Sequence, residues 1–371
     1  MIETNEDRPV SPPVAETAKP GNGSGEAIDS GNPASVPVLG PSELAEMTGE
    51  WSTIEPTAKR MGLARLTLDE GVRTTVVGHL YGLDFEIENA AFDVRVFFDY
   101  YNRRLKVLDY RASDYRALAQ RLTFLAKAND FDKIFVKARK NDWQTFLCLG
   151  FMLEGILKYC FRGEDAYVLS RFGSPERLQS DRLIEESDLI ESIMAQPRKI
   201  VTRSMPEGYH LVMAEEQHIP GLVALYRRVF KTYPSPLTHP DYIQQTMERN
   251  VLYRAILAPS GEVVSAASAE IGHKHGNAEL TDCATLRTER GHGLMPLILA
   301  ALEEDLRERG IISGYTLARA RSVGMNRVFY RLGYEYSGRL INNCDIYGQY
   351  EDMNIWVKLL GDDTGAGAPP L

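Results

Sequence analysis

Residues 277–310 read NAELTDCATLRTERGHGLMPLILAALEEDLRERG, and this stretch decides the fold. A strand-like run to about Thr285 is followed by a glycine turn and then by an amphipathic helix that ends before Gly310. The apolar helix positions share one face, spaced i, i+3, i+4, i+7 and i+8: Leu294, Leu297, Ile298, Ala301 and Leu302. Glycines let the backbone approach a ligand, and a helix start presents unpaired N–H groups, so the stretch predicts a phosphate-binding loop.

Strands and helices alternate on both sides of this loop, from 208 to 360 and again from about 70 to 172. Such alternation predicts α/β units. KIFVKAR, a helix and LGF at 149–151 follow the same plan as YTLARAR, a helix and LGY at 332–334. We therefore expect two copies of one fold in tandem, although a chance likeness of two α/β halves stays open. Only the second copy keeps the ligand loop, since the first has ASDYRALAQ where the second has RTERGHGLM.

The length of 371 residues suits two folded domains with tails. Residues 1–50 hold nine acidic and two basic residues, seven prolines and no aromatic residue, so we expect a disordered acidic tail. Residues 361–371 have a similar composition and form a second tail. The expected domains are 51–173, a degenerate first copy, and 208–360, the complete copy. A charged, proline-bounded linker with one helix, 174–207, joins them.

The composition argues against several function classes. Hydrophobic residues at 44% and charged residues at 25% are typical of soluble proteins, and apolar stretches fall short of the ~18 residues that span a membrane. Without a secretory signal or a CxxC pair, the sequence favours a cytoplasmic protein with reduced thiols and no metal. The chain beyond residue 50 is nearly neutral, so we expect no nucleic-acid partner. The sequence does not indicate an oligomeric state.

The loop RGHGLM at 290–295 resembles the pyrophosphate loop of the GNAT superfamily of acyl-coenzyme A N-acyltransferases. The order of strands and helices from 208 to 360 is similar as well, although Met295 stands where a small residue is usual. The resemblance implies a mixed-sheet GNAT domain with acetyl-CoA as co-substrate and no other cofactor. It also implies a set of coenzyme-binding residues, namely Ala284, Thr285, Leu286, Arg290, Gly291, His292, Gly293 and Leu294.

Four longer stretches are similar to the β-lysine N-acetyltransferases: 232–247, 277–286, 322–334 and INNCDIYGQYEDMNIWVK at 341–358. That resemblance implies acetyl transfer to the N6 amine of a small diamino acid, β-lysine, and a product that serves as a compatible solute. Two other functions stay open. A protein lysine acetyltransferase would need an open groove for a peptide, and a non-catalytic acyl-coenzyme A sensor would bind another protein through its first domain.

Two carboxylates are candidates for the catalytic base. An amine of pKa ~10.4 arrives protonated and cannot attack a thioester until its proton is removed. Glu279 lies eleven residues before Arg290, which resembles the position of the catalytic glutamate in histone-acetylating GNAT enzymes. Asp282 is the second candidate, and in a regular strand it faces the opposite side unless a bulge intervenes. A solvated glutamate and a structural aspartate are the alternatives.

The acid that protonates the leaving thiolate is left unassigned. Phe329 stands where many GNAT enzymes have a tyrosine, and Tyr330 is turned about 100° away on a helix. A thiol of pKa ~8.5 can leave without such an acid.

Residues between the last two strands are candidates for binding the acceptor. Asn342, Asn343, Asp345 and Glu351 can receive its amine end, and Arg319 or Arg321 can hold its carboxylate. Tyr233, in a proline-rich loop, is expected to form a wall of the site. Turn asparagines, exposed arginines and a plain rigid loop are the alternative interpretations.

Overall fold

The computed structural model describes residues 64–76, 82–198, 204–230, 233, 235–346 and 348–361. The predicted tail at 1–50 and nearly all of that at 361–371 lie outside these ranges. An antiparallel pair opens the described chain, β1 (Ala64–Asp69) and β2 (Val72–Val76).

The first half of the main sheet follows this pair. Its elements are β3 (Leu83–Glu88), β4 (Phe92–Asp99), β5 (Arg104–Ala112), α1 (Tyr115–Ala128), β6 (Lys133–Ala138), α2 (Trp143–Cys148), β7 (Met152–Phe161) and β8 (Glu164–Phe172). The stretch expected to be a linker with one helix has two, α3 (Pro175–Leu178) and α4 (Leu183–Met194). The additional helix, α3, is a single turn with Pro175 in its first turn and Ser174 as its N-cap, a start that favours even a short helix.

The second half begins at β9 and contains the longest helix. Its elements are β9 (His210–Met213), α5 (Ile219–Val229), α6 (Pro240–Arg249), β10 (Val251–Leu257), β11 (Val263–Gly272), β12 (Asn277–Thr285), α7 (Leu294–Glu308), β13 (Ser313–Arg319), α8 (Val323–Arg331), β14 (Glu335–Ile346) and β15 (Gln349–Leu359). Of the apolar face predicted for α7, Leu294, Ile298 and Leu302 are buried, whereas Leu297 and Ala301 are half-buried. The helix therefore packs on the sheet as its spacing indicates.

Thirteen strands form one mixed sheet in the order β3-β4-β5-β6-β8-β7-β14-β15-β13-β12-β11-β10-β9. The α/β class and the mixed sheet predicted from the sequence are confirmed. The order β3-β4-β5-β6-β8-β7 has the same form as β10-β11-β12-β13-β15-β14 when read from the opposite edge. In each half one parallel pair, β5–β6 or β12–β13, is flanked by antiparallel strands.

The two halves also end corresponding helices in the same way. Gly150 after α2 and Gly333 after α8 have φ angles of 84° and 90°, the left-handed conformation that terminates helices. The aromatic pairs beside these glycines match, with ring centroids 5.2 and 5.1 Å apart and an interplanar angle of 76° in both: Phe146 with Phe151, and Phe329 with Tyr334.

A pair of glycines joins the two halves edge to edge. Strands β7 and β14 meet at Gly155 and Gly338. A Cβ atom on Gly338 would lie 2.3 Å from the carbonyl oxygen of Glu154 and 2.5 Å from Cα of Gly155. Because Gly338 also has a φ of 147°, only glycine fits this position without strain.

The inner faces of the two halves pack against each other next to this junction. A buried cluster combines Phe135 and Leu157 of the first half with Leu340 and Ile355 of the second. The buried Lys133 ammonium pairs with Glu154 at 3.0 Å, and a guanidinium nitrogen of Arg104 donates to the carbonyl of Asn343 at 3.0 Å. Strands β5 and β6 therefore face β13–β15 across a shared interior.

We predict that Gly338→Ala destabilises the protein by about 2 kcal/mol or more, because the added methyl group must displace the β7 backbone. Gly324→Ala is the matched control, since it lies in α8 with nothing within 4 Å of its would-be Cβ. That change should be neutral or stabilising by up to about 1 kcal/mol. Urea unfolding of both variants measures the difference, and equal midpoints would contradict the role of the glycine junction.

Candidate functional site

The parallel strands β12 and β13 separate in the middle of the sheet. They pair only through Asn277–Glu279 and Ser313–Tyr315, and beyond these residues no ladder bond joins them in the described chain. Backbone N–H and C=O groups that leave a ladder need other partners. The opening between the two strands is therefore a place where an extended ligand can bind along the backbone.

A β-bulge lies beside this opening. The register between β11 and β12 shifts between Ala266 and Ser268, and Asp282 has a φ of 54°, which is rare for a residue other than glycine. The expectation that Asp282 and Glu279 face opposite sides holds only for a regular strand, and the bulge overturns it. Ser268 faces the same side as Glu279, and its hydroxyl donates to Oδ2 of Asp282 at 2.6 Å.

Asp282 is buried in a polar cluster. Besides Ser268, Tyr233 forms a side-chain hydrogen bond with its carboxylate. Burial raises the pKa of Asp282 to about 6, repulsion by Glu270 and Glu279 acts in the same direction, and the two hydrogen bonds oppose the rise. A carboxyl with such a pKa changes its charge close to neutral pH, which is a property of many functional sites.

Glu279 lies at the point where the strands part. It is half-buried, and its register partner on β13 is Tyr315, to which it is hydrogen-bonded through the side chain. The Lys137 ammonium of the first half donates to the Tyr315 hydroxyl at 2.8 Å. Burial raises the pKa of Tyr315 well above its usual range, and the Glu279 charge adds to the rise, so the hydroxyl stays protonated.

The glycine loop has the geometry expected of a phosphate site. Gly291 and Gly293 have φ angles of 88° and 79°, and Gly293 caps α7 without a side-chain hydrogen bond to the first turn. In the first half, by contrast, the Asp114 carboxylate accepts the N–H groups of Arg116 and Ala117 at the start of α1. The free N–H groups at the start of α1 thus have the Asp114 carboxylate as their acceptor. No side chain of the described residues takes that place at the start of α7.

The predicted coenzyme residues surround this loop. Arg290, Gly291 and His292 are exposed, whereas Leu294 is buried under the first turn of α7. The three residues before the loop line the end of β12 next to the opening: Ala284, Thr285 and Leu286.

Two predicted acceptor residues bind each other. Arg319 and Glu351 form a two-pronged ion pair with both N···O distances at 2.6 Å. Register places them on the same face of the sheet as Glu279, at the end of β13. Tyr233 lies at Asp282, so the structure brings this predicted wall residue to the candidate base.

The two asparagines have other neighbours. Asn342 has a φ of 44°, and its amide donates to carbonyl oxygens of the segment after β8, at 2.7 Å in the case of Gln179. Asn343 is fully buried at the junction of the halves, where its carbonyl accepts from Arg104. The structure therefore places the Asn342 side chain with the linker, whereas the Asn343 side-chain amide donates to the sulfur of Cys344, its neighbour on β14, at 3.5 Å.

Sequence reasoning missed the hydroxyl of Tyr226. This residue of α5 is fully buried, and its hydroxyl has no hydrogen-bond partner among the described residues. Burial raises its pKa well above the usual range, and the charge of Asp282 acts in the same direction. A buried donor without a partner beside the bulge is suited to a ligand. In the sequence Tyr226 looks like one more apolar position of an amphipathic helix, which is why the pattern did not reveal it.

The structure does not supply the missing acid on α8. Phe329 is buried against Tyr334, and the Tyr330 hydroxyl donates to the carbonyl oxygens of Met194 and Gln196 at 2.9 Å. Tyr330 thus points to the linker helix α4.

Neither a metal cluster nor a membrane span is found in the part of the chain that the structure describes. No three His, Cys, Asp or Glu side chains within it are grouped closely enough to hold an ion. No helix within it is both long and apolar enough to cross a bilayer.

Comparison with known proteins gives matches over most of the chain. The sequence model of the acetyltransferase (GNAT) family matches residues 219–334. N-acetyltransferase YodP of Bacillus subtilis (strain 168) is 40% identical over 262 residues, covering 71% of this chain and 94% of the relative. The β-lysine N(6)-acetyltransferase of Methanosarcina mazei is 36% identical over 269 residues, covering 66% of this chain and 98% of the relative. The β-lysine N(6)-acetyltransferase of Methanococcus maripaludis is 35% identical over 246 residues, covering 66% of this chain and 89% of the relative. Since these alignments are longer than the second half, the relatives share part of the first half too.

We predict that Gly293→Val weakens acetyl-CoA binding at least about tenfold, because a β-branched residue resists the left-handed conformation and crowds the loop. Gly261→Val is the control. Gly261 has a similar φ of 82° and open space around its would-be Cβ, but it lies in the turn between β10 and β11. Calorimetric titration should show a change in Kd for Gly293→Val alone. Equal affinities for both variants would exclude this loop as the phosphate site.

We also predict a pH-dependent difference in stability between the wild type and Asp282→Asn. Because the pKa of Asp282 is raised on folding, the folded protein binds this proton more tightly than the unfolded chain does between about pH 4 and pH 6. The free energy of unfolding of the wild type should therefore fall, relative to that of the variant, by about 3 kcal/mol as the pH rises through this window. Urea unfolding at both ends of the window tests this. A difference that is constant or of opposite sign would mean that the pKa is not raised.

Proposed function

Because the chain belongs to the GNAT acetyltransferase family, in the group that includes the β-lysine N(6)-acetyltransferases, we propose that it acetylates the N6 amine of β-lysine. It is an acetyl-CoA-dependent N-acetyltransferase. The observation that carries the choice of acceptor is the match to two β-lysine N(6)-acetyltransferases over 98% and 89% of their lengths. The product would be Nε-acetyl-β-lysine, a compatible solute made in the cytoplasm.

The transfer needs one proton to be removed before the new bond forms. We assign this step to Glu279, which is half-buried at the opening of the strands and takes the proton of the acceptor ammonium. The neutral amine nitrogen then attacks the thioester carbon, so that an N–C bond forms and the C–S bond breaks. As the C–S bond breaks, the attacking nitrogen loses a second proton to become the amide nitrogen, and the departing thiolate takes up one proton to become the free thiol of coenzyme A.

Asp282 and Tyr226 are suited to supporting roles. Asp282 is buried and already accepts from Ser268 and Tyr233, which makes it less accessible to a substrate than Glu279. The backbone N–H groups of β12 at the opening can stabilise the charge on the thioester oxygen in the transition state. The unpartnered Tyr226 hydroxyl is a second donor for that oxygen or for the leaving sulfur.

We infer that the chain consists of two GNAT-like domains and that the first, 51–173, has lost its coenzyme site. The repeated strand order and the matched ends of α2 and α8 support this. A cleft of about 660 Å³ lies at the corresponding position of the first half, but Asp109 in its lining already pairs with Arg139 and with Lys274 of the second half. Together with the self-capped start of α1, this leaves one coenzyme site per chain, in the domain 208–360.

A panel of acceptors tests the proposed function. The purified protein with acetyl-CoA should acetylate β-lysine at N6, with weaker activity on α-lysine and none on lysine-containing peptides. Mass spectrometry of the product identifies the amine. A preference for peptides would favour a protein lysine acetyltransferase, and coenzyme binding without turnover on any amine would favour a sensor.

We predict that Glu279→Gln lowers kcat by roughly 10²- to 10⁴-fold at neutral pH, because the variant keeps the shape of the side chain but not the base. High pH should restore part of the activity, since more of the amine is then already deprotonated. The Kd of acetyl-CoA should stay unchanged. The assignment is wrong if Glu279→Gln turns over normally, or if Asp282→Asn alone shows the loss with pH-dependent recovery.

A further inference from the structure

Two lysines on the inner face of the first half form no ion pair with any residue that the structure describes. Lys106 on β5 and Lys137 on β6 are half-buried, and neither forms an ion pair within the described residues. Their neighbours on the same face do: Arg104 pairs with Asp99 at 2.6 Å and Lys133 with Glu154 at 3.0 Å. Two half-buried positive charges are thus left over where the others are balanced.

Two glutamates on the inner face of the second half likewise form no ion pair with the described residues. Glu270 on β11 and Glu279 on β12 are directly opposite each other in the ladder, and both lack a basic partner among the described residues. Like charges at such a cross-strand position repel, so the arrangement is destabilising by itself. It becomes favourable when a cation lies between the two carboxylates.

The strand register turns these two walls toward each other. Lys106 lies beside Phe135 in the β5–β6 ladder and shares its face, and Phe135 packs in one buried cluster with Tyr315. The Lys137 ammonium lies 4.7 Å from the centre of the Tyr315 ring, and Tyr315 is in turn bonded to Glu279. The charges of both lysines also act on the Glu270 carboxyl. The groove between the halves is therefore positive on one wall and negative on the other.

We propose that Lys106 and Lys137 bind the carboxylate of the acceptor, so that the first half determines which amines the enzyme accepts. This rests on the proposed function. A diamino acid carries a carboxylate and two ammonium groups, and in the groove the carboxylate faces the two lysines while the ammonium groups face Glu270 and Glu279. The reacting amine thereby lies at the base, and the second ammonium offsets the repulsion between the glutamates. Such pairing inside a partly buried groove gives specificity through complementary charge.

Arg319, which the sequence suggested for binding the carboxylate of the acceptor, is already paired with a carboxylate of the protein. Arg319 holds Glu351 with two short bonds, and binding a substrate carboxylate there would require that ion pair to break. Lys106 and Lys137 need no such exchange.

The test compares β-lysine with 1,4-diaminopentane, which is β-lysine without its carboxylate. Lys106→Met should lower kcat/KM for β-lysine roughly 30-fold or more and leave that for the diamine nearly unchanged. Lys137→Met should do the same, with an additional loss on both acceptors if its bond to Tyr315 also positions Glu279. The Kd of acetyl-CoA should not change in either variant. Lys127→Met, at an exposed position of α1, is the control and should behave as the wild type.

The outcomes distinguish failure of this proposal from failure of the proposed function. If the wild type acetylates β-lysine and Lys106→Met keeps the full preference for it over the diamine, the carboxylate binds elsewhere and only this proposal falls. If the wild type acetylates peptides and not β-lysine, the proposed function falls as well. Should Lys106→Met lower the melting temperature, Lys106→Gln, which keeps a polar side chain, replaces it. An equal loss on both acceptors in a folded Lys106 variant would assign the lysine to catalysis and overturn its role in specificity.

Discussion

The parting of β12 from β13 is the constraint on which the rest of the site depends. Two parallel strands that stay paired would bury their backbone groups in the ladder and leave no place for a ligand. Here the pairing stops at Glu279 and Tyr315, and the bulge that follows turns Asp282 onto the face of Glu279. The parting of β12 from β13 therefore opens the sheet, and the adjacent bulge gathers the carboxylates beside the opening.

The first half is fixed to the second by close backbone contacts and buried polar contacts, which leave little room for substitutions. Gly155 and Gly338 let the two halves of the sheet pair through β7 and β14, and the buried Lys133 bonds to Glu154 and to the backbone of β14. A domain fixed in this way can present side chains to its neighbour's active site. We infer that the first half closes the acceptor side of the groove.

The sequence was sufficient for features that depend on local patterns. The apolar spacing from Leu294 to Leu302 fixes the face of α7, and the glycines at 291 and 293 fix the loop before it. Features that depend on long-range pairing were less accessible. Asp282 changes sides because β12 has one residue more than β11 between the pairs Ala266–Ala284 and Ser268–Thr281, and no local pattern in the sequence indicates this.

Partners distant in sequence explain the remaining differences. Arg319 and Glu351 were predicted to bind opposite ends of a substrate, yet they lie on neighbouring antiparallel strands and bind each other. Asn342 bonds to carbonyl oxygens more than a hundred residues away. Lys106 and Lys137 were not candidates, because they read as ordinary strand lysines until the folded chain places them opposite two glutamates.

Hydrogen–deuterium exchange with and without acetyl-CoA tests most directly whether the coenzyme binds at the opening between β12 and β13. The account predicts slower exchange, on adding the coenzyme, for the amides of 280–286 and of the first turn of α7. The corresponding segments of the first half, 108–112 and the first turn of α1, should exchange at unchanged rates. Protection of the first half's segments, or no protection between residues 280 and 297, would contradict the account.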